Sequence, residues 1–397
     1  MTEIVYPVNL RFPMERANSI QILQTCHALA RGGAGVALLV RGGNDPTSEV
    51  ASLAFYGLAP HCNLRIRRLP VLPPSAPARL RNRLFLLALG AECALRAARG
   101  RADAFYVRDD GVARMLIAAR RVLRVPVVFE MHHLSHLFLK MRHEMYPDTP
   151  PAPRDAVARQ ARIDRDLYER ADAIVCVTRS LADLLAETFG PRPGVHLVRN
   201  GVTLPTGDAE RHPEKGVISY VGQLYAWKGV DTLVRAMADL PEARLEIVGG
   251  LPFEPDSARL EALAGSIGVA SRVNFVPFVS PGGLERRVAR AAVAAVPLPD
   301  SLYSRAFTSP LKIFEAMAAG IPVVASDLPA IREVIRDGEN GILVPPGDPA
   351  ALAAGLRRAL DDRALAESIA RQARKDVEAF AWDRRAERIR AIVEGLG

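Results

Sequence analysis

Residues 308–324, TSPLKIFEAMAAGIPVV, decide how the chain reads. Ser309 suits a helix N-cap, Pro310 the first helical position and Gly320 a helix stop, and 322–326 is a short β-branched run of the kind buried in a parallel sheet. An apolar helix feeding such a strand is half of a βαβ unit. Lys312 is out of place in this reading. It falls near the third helical position, where the positive end of the helix dipole disfavours a cation, and an anion bound there would reverse the penalty.

Working outward, the second half alternates in the same way. VISYVG, RLEIVGG, RVNFVPFV, VAAVPL, PVVAS and GILVPP read as strands. Helical stretches separate them at 230–239, 257–267, 282–291, 311–319, 330–336 and 350–360. The first half has the same grammar. IVYPV, GVALLV, LRIRRLPV, DAFYVR, VPVVFEMHH and AIVCVT alternate with helices at 19–31, 80–99, 111–123, 154–170 and 181–188. Such alternation predicts an α/β chain of two doubly wound, Rossmann-like domains. The first covers 1–200 and the second 201–375, joined by the Gly/Pro-containing stretch 200–216. A last helix over about 364–396, with 376–397 as its tail, is expected to fold back over the first domain.

With 397 residues, 49% hydrophobic and 24% charged, the chain has the composition of a globular enzyme. Cys26, Cys62, Cys93 and Cys176 show no metal-ligand or paired spacing and read as structural thiols of a reducing compartment. The apolar stretch near 85–95 contains Glu92 and is too short to span a bilayer, and the opening residues carry no signal-peptide pattern. A cytoplasmic location is expected. Charge is unevenly placed, with 14 arginines against 4 acids in residues 60–125. Arginines beside leucines at helical spacing make an anionic membrane surface a candidate partner, against the plainer reading of a solvated basic rim. No aromatic platform or reading-helix motif accompanies the charge, so nucleic acid is not an expected partner.

In a doubly wound sheet ordered 3-2-1-4-5-6, ligands sit at the carboxyl ends of strands 1 and 4. In the second half these exits are GQLYAWKGVD and PDSLYSRAFTSPLKIFE, which brings Lys228 and Lys312 to one crevice. Two lysines at two helix starts fit a diphosphate. Gly222, Gly229, Gly249 and Gly250 allow backbone to approach closely, and Glu315, one turn after Lys312, suits ribose hydroxyls. Alone, Lys312 with Glu315 would be an ordinary surface pair.

YVGQLYAWKGVDTLVRAM, LEIVGG and SPLKIFEAMAAGIPVVASDLPAIREVIRDGENGILVPPGD resemble the retaining family 4 glycosyltransferases of GT-B fold. RANSIQILQTCHALARGG and VVFEMHH agree more loosely. The resemblance implies a nucleotide-diphosphate sugar as donor, a hydroxyl acceptor that includes lipid-linked ones among its candidates, and no cofactor. Carried over by position, Lys228 grips phosphate, Glu315 takes the ribose and His132 faces the donor sugar. Arg16, Asn18 and Ser19 lie beside the acceptor, with Glu130 placed on the same strand face as His132 by alternation. Two departures stand out. Gln223 replaces an arginine common in the family, and Phe307 occupies the position of its first glutamate. Lys312 is then the substitute cation, with Ser309, Pro310 and the N–H groups of Leu311 and Lys312 on the phosphate. Retention, with the donor phosphate assisting acceptor deprotonation, is implied, and metal independence is expected because DRD at 164–166 reads as a solvated helix face and HHLSH at 132–136 lacks a ligand set. A nucleotide-sugar epimerase and a non-catalytic binder are the competing classes. An oxidoreductase would need a GxGxxG fingerprint, which is absent.

Overall fold

The computed structural model describes all residues except 43–47, 147–148, 206, 208–210, 251–255, 280–283 and 285–286. Two wholly parallel sheets organise them. The first comprises β1 Glu3–Pro7, β2 Gly35–Arg41, β3 Leu64–Leu69, β4 Ala104–Val107, β5 Val127–Met131, β6 Ala173–Cys176 and β7 Val195–Leu197, in the order β3-β2-β1-β4-β5-β6-β7. The second comprises β8 Val217–Val221, β9 Arg244–Val248, β10 Val273–Val276, β11 Val293–Val296, β12 Val323–Ser326 and β13 Ile342–Val344, in the order β10-β9-β8-β11-β12-β13. Each order reverses between the first and fourth strands of its sheet, which creates a crevice at β1/β4 and another at β8/β11.

Central strands such as β5 and β12 are buried along their whole length because helices cover both faces. β3 lies at an edge, and its exposed Arg65 and Arg67 blunt it. Helix starts follow their side chains: Asp109, Thr178 and Asp348 each accept a hydrogen bond from a first-turn N–H.

Three expectations change. The first sheet gains β7, a half-buried three-residue strand too short to show a pattern. Helices Glu49–Phe55 and Ser135–Met145 occupy stretches too short to show a helical period on their own. The C-terminal helix is two: Arg363–Val377 and Trp382–Glu394, broken by a 3₁₀ turn at Glu378–Phe380 and extended backbone at Ala381. Of the helix expected at 282–291, residues 282–283 and 285–286 lie outside the described residues.

The break serves the crossing back. Ala381 forms a parallel bridge with Val202, and Trp382 lands on Gly201, where a Cβ would come within 2.6 Å of the indole. Trp382, Ala386, Ile389 and Val393 then join the core formed by Ile22, Cys26 and Leu29 beneath the first sheet. The last helix belongs to the first domain.

Candidate functional site

At the β8/β11 crevice, glycine conformations bring the two strand exits together. Gly229 has φ +72°, and a Cβ there would fall 1.8 Å from the Pro297 carbonyl oxygen, so only glycine lets the loop after β8 lie on the exit of β11. Gly249, φ +138°, similarly presses on Gly222. Lys228 closes the 3₁₀ turn Ala226–Lys228 rather than opening an α-helix. Lys312 is the second residue of the helix Leu311–Ala318, one place earlier than expected, because Pro310 is the N-cap. Ser309 does not cap this helix. Its carbonyl accepts from Asn200 Nδ2 at 2.9 Å, and no side chain caps the helix start.

Both ammonium groups rest on aromatic rings. Lys312 Nζ is 3.9 Å from the Tyr220 centroid and would lie 2.8 Å from a Cβ on Gly222. Lys228 Nζ is 3.8 Å from a ring of Trp227 and 5.8 Å from that of Tyr303. Among the described residues neither lysine has a carboxylate within ion-pair distance. Burial brings Lys228 down to about 7; burial, then repulsion from Lys228, holds Lys312 well below its ordinary value. Two crowded amines, neither in an ion pair and only Lys312 within the field of a carboxylate, that of Glu315, are poised to take up protons and gain from an anion that bridges them. Gln223 stands beside them, its carbonyl accepting from the Tyr220 hydroxyl at 2.7 Å, and Glu315 is exposed one turn along the Lys312 helix.

On the first-domain side, Glu130 and His132 do share a face of β5, with Nε2 and Oε1 2.7 Å apart. Glu130 is fully buried and accepts from Gln21 Nε2, Tyr106 OH and Arg385 Nη2 as well, so the expectation that it meets an acceptor gives way to a holding role inside the domain. Ser19 is also internal, its hydroxyl within 2.7 Å of the Met14 and Arg16 carbonyls. Arg16 is exposed and Asn18 half-buried, its Oδ1 accepting from Ser19 N at 2.8 Å. Burial, then Arg108, brings His132 down to about 4 despite its carboxylate partner, and His133 likewise to about 4.

The neighbouring polar motifs resolve into pairs, Asp164 with His136 inside the domain and Asp166 with Arg170 on its surface. Asp164 is not solvated: it accepts from His136 N at 2.8 Å and lies 2.7 Å from His136 Nδ1, while Asp166 pairs with Arg170. Among the described residues no three His, Cys, Asp or Glu side chains are grouped to hold a metal ion. Phe307, in the π-turn Tyr303–Phe307, is buried in the first domain's core, against Tyr303 and His133. The turn is tied down further by the Thr178 hydroxyl, which donates to Ala306 O at 2.5 Å, and Glu333 crosses to Arg199, Ser180 and the Arg179 N–H.

Residues the sequence reading overlooked support the cleft from within. Arg108 follows β4, the first sheet's own reversal point, so the rule applied to the second half would have found it; its Nη1 donates to Gln21 Oε1 at 2.8 Å. Arg385 carried no signal, being 255 residues from the Glu130 that it pairs with.

The sequence matches the family model described as Glycosyltransferase Family 4 over residues 19–204 and the one described as Glycosyl transferases group 1 over 215–362. A D-inositol 3-phosphate glycosyltransferase of Xylanimonas cellulosilytica is 30% identical over 394 residues, covering 92% of this chain and 88% of that one. Sucrose-phosphate synthase of Thermosynechococcus elongatus superposes with a TM-score of 0.78 at 23% identity, over 100% and 99% of the two chains. Anabaena HepE, solved with UDP and glucose, gives 0.71 at 17% identity over 99% and 100%.

Proposed function

Since the chain belongs to glycosyltransferase family 4 and has two parallel-sheet domains in the GT-B arrangement, we propose that it moves a sugar from a nucleotide-diphosphate donor to a hydroxyl acceptor with retention at the anomeric carbon. The observation that carries this reading is the pair of lysines, Lys228 and Lys312, neither in an ion pair among the described residues, at the two exits that Gly229 holds together. A diphosphate replaces their aromatic rests with charge-assisted hydrogen bonds and accepts from the N–H groups of Leu311 and Lys312 at the uncapped helix start. Ser309 and Pro310 shape that turn, Gly222, Gln223 and Gly249 line the approach, and Glu315 takes the ribose hydroxyls.

As the anomeric carbon–oxygen bond breaks, negative charge collects on the leaving phosphate, and preorganised cations stabilise it most where they lack other partners. The lysines and helix start supply that charge in place of a divalent cation. The acceptor hydroxyl forms the new bond while its proton passes to a donor phosphate oxygen. His132, kept neutral by its surroundings, orients the sugar, and Arg16 with Asn18 lies at the acceptor entrance.

No helix among the described residues is long and apolar enough to cross a membrane. The helix Ala78–Ala98 nevertheless exposes Leu80, Leu84, Leu87 and Leu95 beside exposed Arg79 and Arg83. We assign this stripe to an anionic membrane surface, which would present lipid-linked acceptors to the cleft.

Calorimetric titration with UDP, GDP and ADP, followed by transfer assays with the sugar nucleotides of the base that binds, tests the donor assignment. Binding of none of the three overturns it; donor turnover that requires an added hydroxyl acceptor supports transfer.

A further inference from the structure

The Glu130 carboxylate is saturated by donors from four elements. Oε1 lies 2.7 Å from both Gln21 Nε2 and His132 Nε2, and Oε2 lies 2.6 Å from Tyr106 OH and 2.7 Å from Arg385 Nη2. Arg385 is itself committed at all three of its nitrogens. Its Nε donates to Thr25 Oγ1, and its Nη1 to the carbonyls of Val198 and Arg199, where the chain leaves the first domain. Burial would raise Glu130, but Arg385, His132 and Arg108 outweigh it and hold the carboxyl well below its ordinary range. An ionised carboxylate only accepts, so the ring nitrogen facing it must carry a proton.

We propose that Arg385, on the last helix of the chain, is a positioning residue of the transfer site: by fixing Glu130 it fixes His132 as the Nε2–H tautomer and leaves Nδ1 as the hydrogen-bond acceptor for a substrate hydroxyl. This rests on the reading of His132 as the residue that meets the donor sugar. The carboxylate thus orients the imidazole, and the arginine orients the carboxylate.

The charged and titratable groups that face this pair are Arg108 after β4, Tyr6 on β1, Tyr106 on β4, Cys26 on the first helix and Arg385 on the last. Tyr6, Tyr106 and Cys26 are all pushed upward by burial and stay neutral at ordinary pH. Burial first, then Arg108 and to a smaller degree Arg385, hold His132 neutral, with Glu130 as the opposing charge.

Nitrogen-15 NMR of histidine-labelled protein reads the tautomer without any assay of transfer, using His132→Gln to assign the signals. The parent should show neutral His132 with its proton on Nε2. Glu130→Gln, of the same shape, offers an amide N–H and should move the proton toward Nδ1. Arg385→Gln should mix the tautomers, raise the pH at which His132 protonates and lower kcat about 10- to 100-fold with UDP affinity unchanged, while Arg385→Lys should recover part of the loss. A parent with the proton on Nδ1, or a His132 signal and titration identical in all these variants, overturns the proposal. A correct tautomer in a protein that transfers no sugar would count against the transferase reading alone.

Discussion

Phe307 and His133 come from opposite domains and meet with ring centroids 6.3 Å apart at 59°. The position where the family resemblance implies a carboxylate is here a buried plug in the first domain's core. Phe307→Ala should cost roughly 3–5 kcal/mol of stability, as truncations of a buried aromatic do. Phe307→Glu should be worse still, because it places a carboxylate among Tyr303, His133 and Ala306. Denaturant melts check both, and a Phe307→Glu protein as stable as its parent would remove the docking role.

Lys228→Ala and Lys312→Ala each remove a cation that has no acidic partner among the described residues. Loss of a charge-assisted hydrogen bond of about 1.5–3 kcal/mol weakens nucleotide-diphosphate binding by about 10- to 150-fold. The melting temperature should hold or rise, since each change removes a buried amine that makes no ion pair among the described residues. Titration calorimetry and thermal shift on the same preparations separate the two effects.

Proton uptake follows from the same crowding. Free Lys228 titrates at about 7, and an adjacent diphosphate raises that value by favouring the charged form. Below about pH 7 the lysine is already charged and binding needs no proton from it; above, binding takes one up and affinity falls as pH rises. Calorimetry of UDP binding at pH 8 in buffers of different ionisation enthalpy should show net uptake that drops in Lys228→Ala. Equal uptake in the two proteins contradicts the assignment.

The stripe on the helix Ala78–Ala98 makes a surface prediction. Leu84→Gln with Leu87→Gln, or Arg79→Gln with Arg83→Gln, should reduce pelleting with phosphatidylglycerol vesicles and leave the melting temperature within a degree or two, because all four side chains are exposed. Neutral phosphatidylcholine vesicles should pellet little of the parent. Equal pelleting of every variant dismisses the membrane partner.

The strand order of the second sheet, and with it the meeting of Lys228 and Lys312, was legible because β-branched runs and glycines mark both strand ends and switch point. Glu130 and His132 could be paired by alternation along one strand. What stayed hidden depends on distance along the chain. Nothing local distinguishes Arg385 from the other arginines of DRRAERIR, and nothing near Phe307 shows that its ring enters the other domain. Capping was misread at Ser309 for a related reason: Asn200, 109 residues away, holds its carbonyl.

Because Trp382 and Arg385 seal the underside of the first domain, that domain cannot reach its native state while its own gene segment alone has been translated. Until the segment Trp382–Glu394 has left the ribosome, Glu130 sits in an apolar interior without its principal cation, and the nascent chain is left to hold an incomplete globule open. Shortening the chain by even this single terminal helix should therefore yield insoluble product rather than a weakened enzyme, as judged by the soluble fraction on expression.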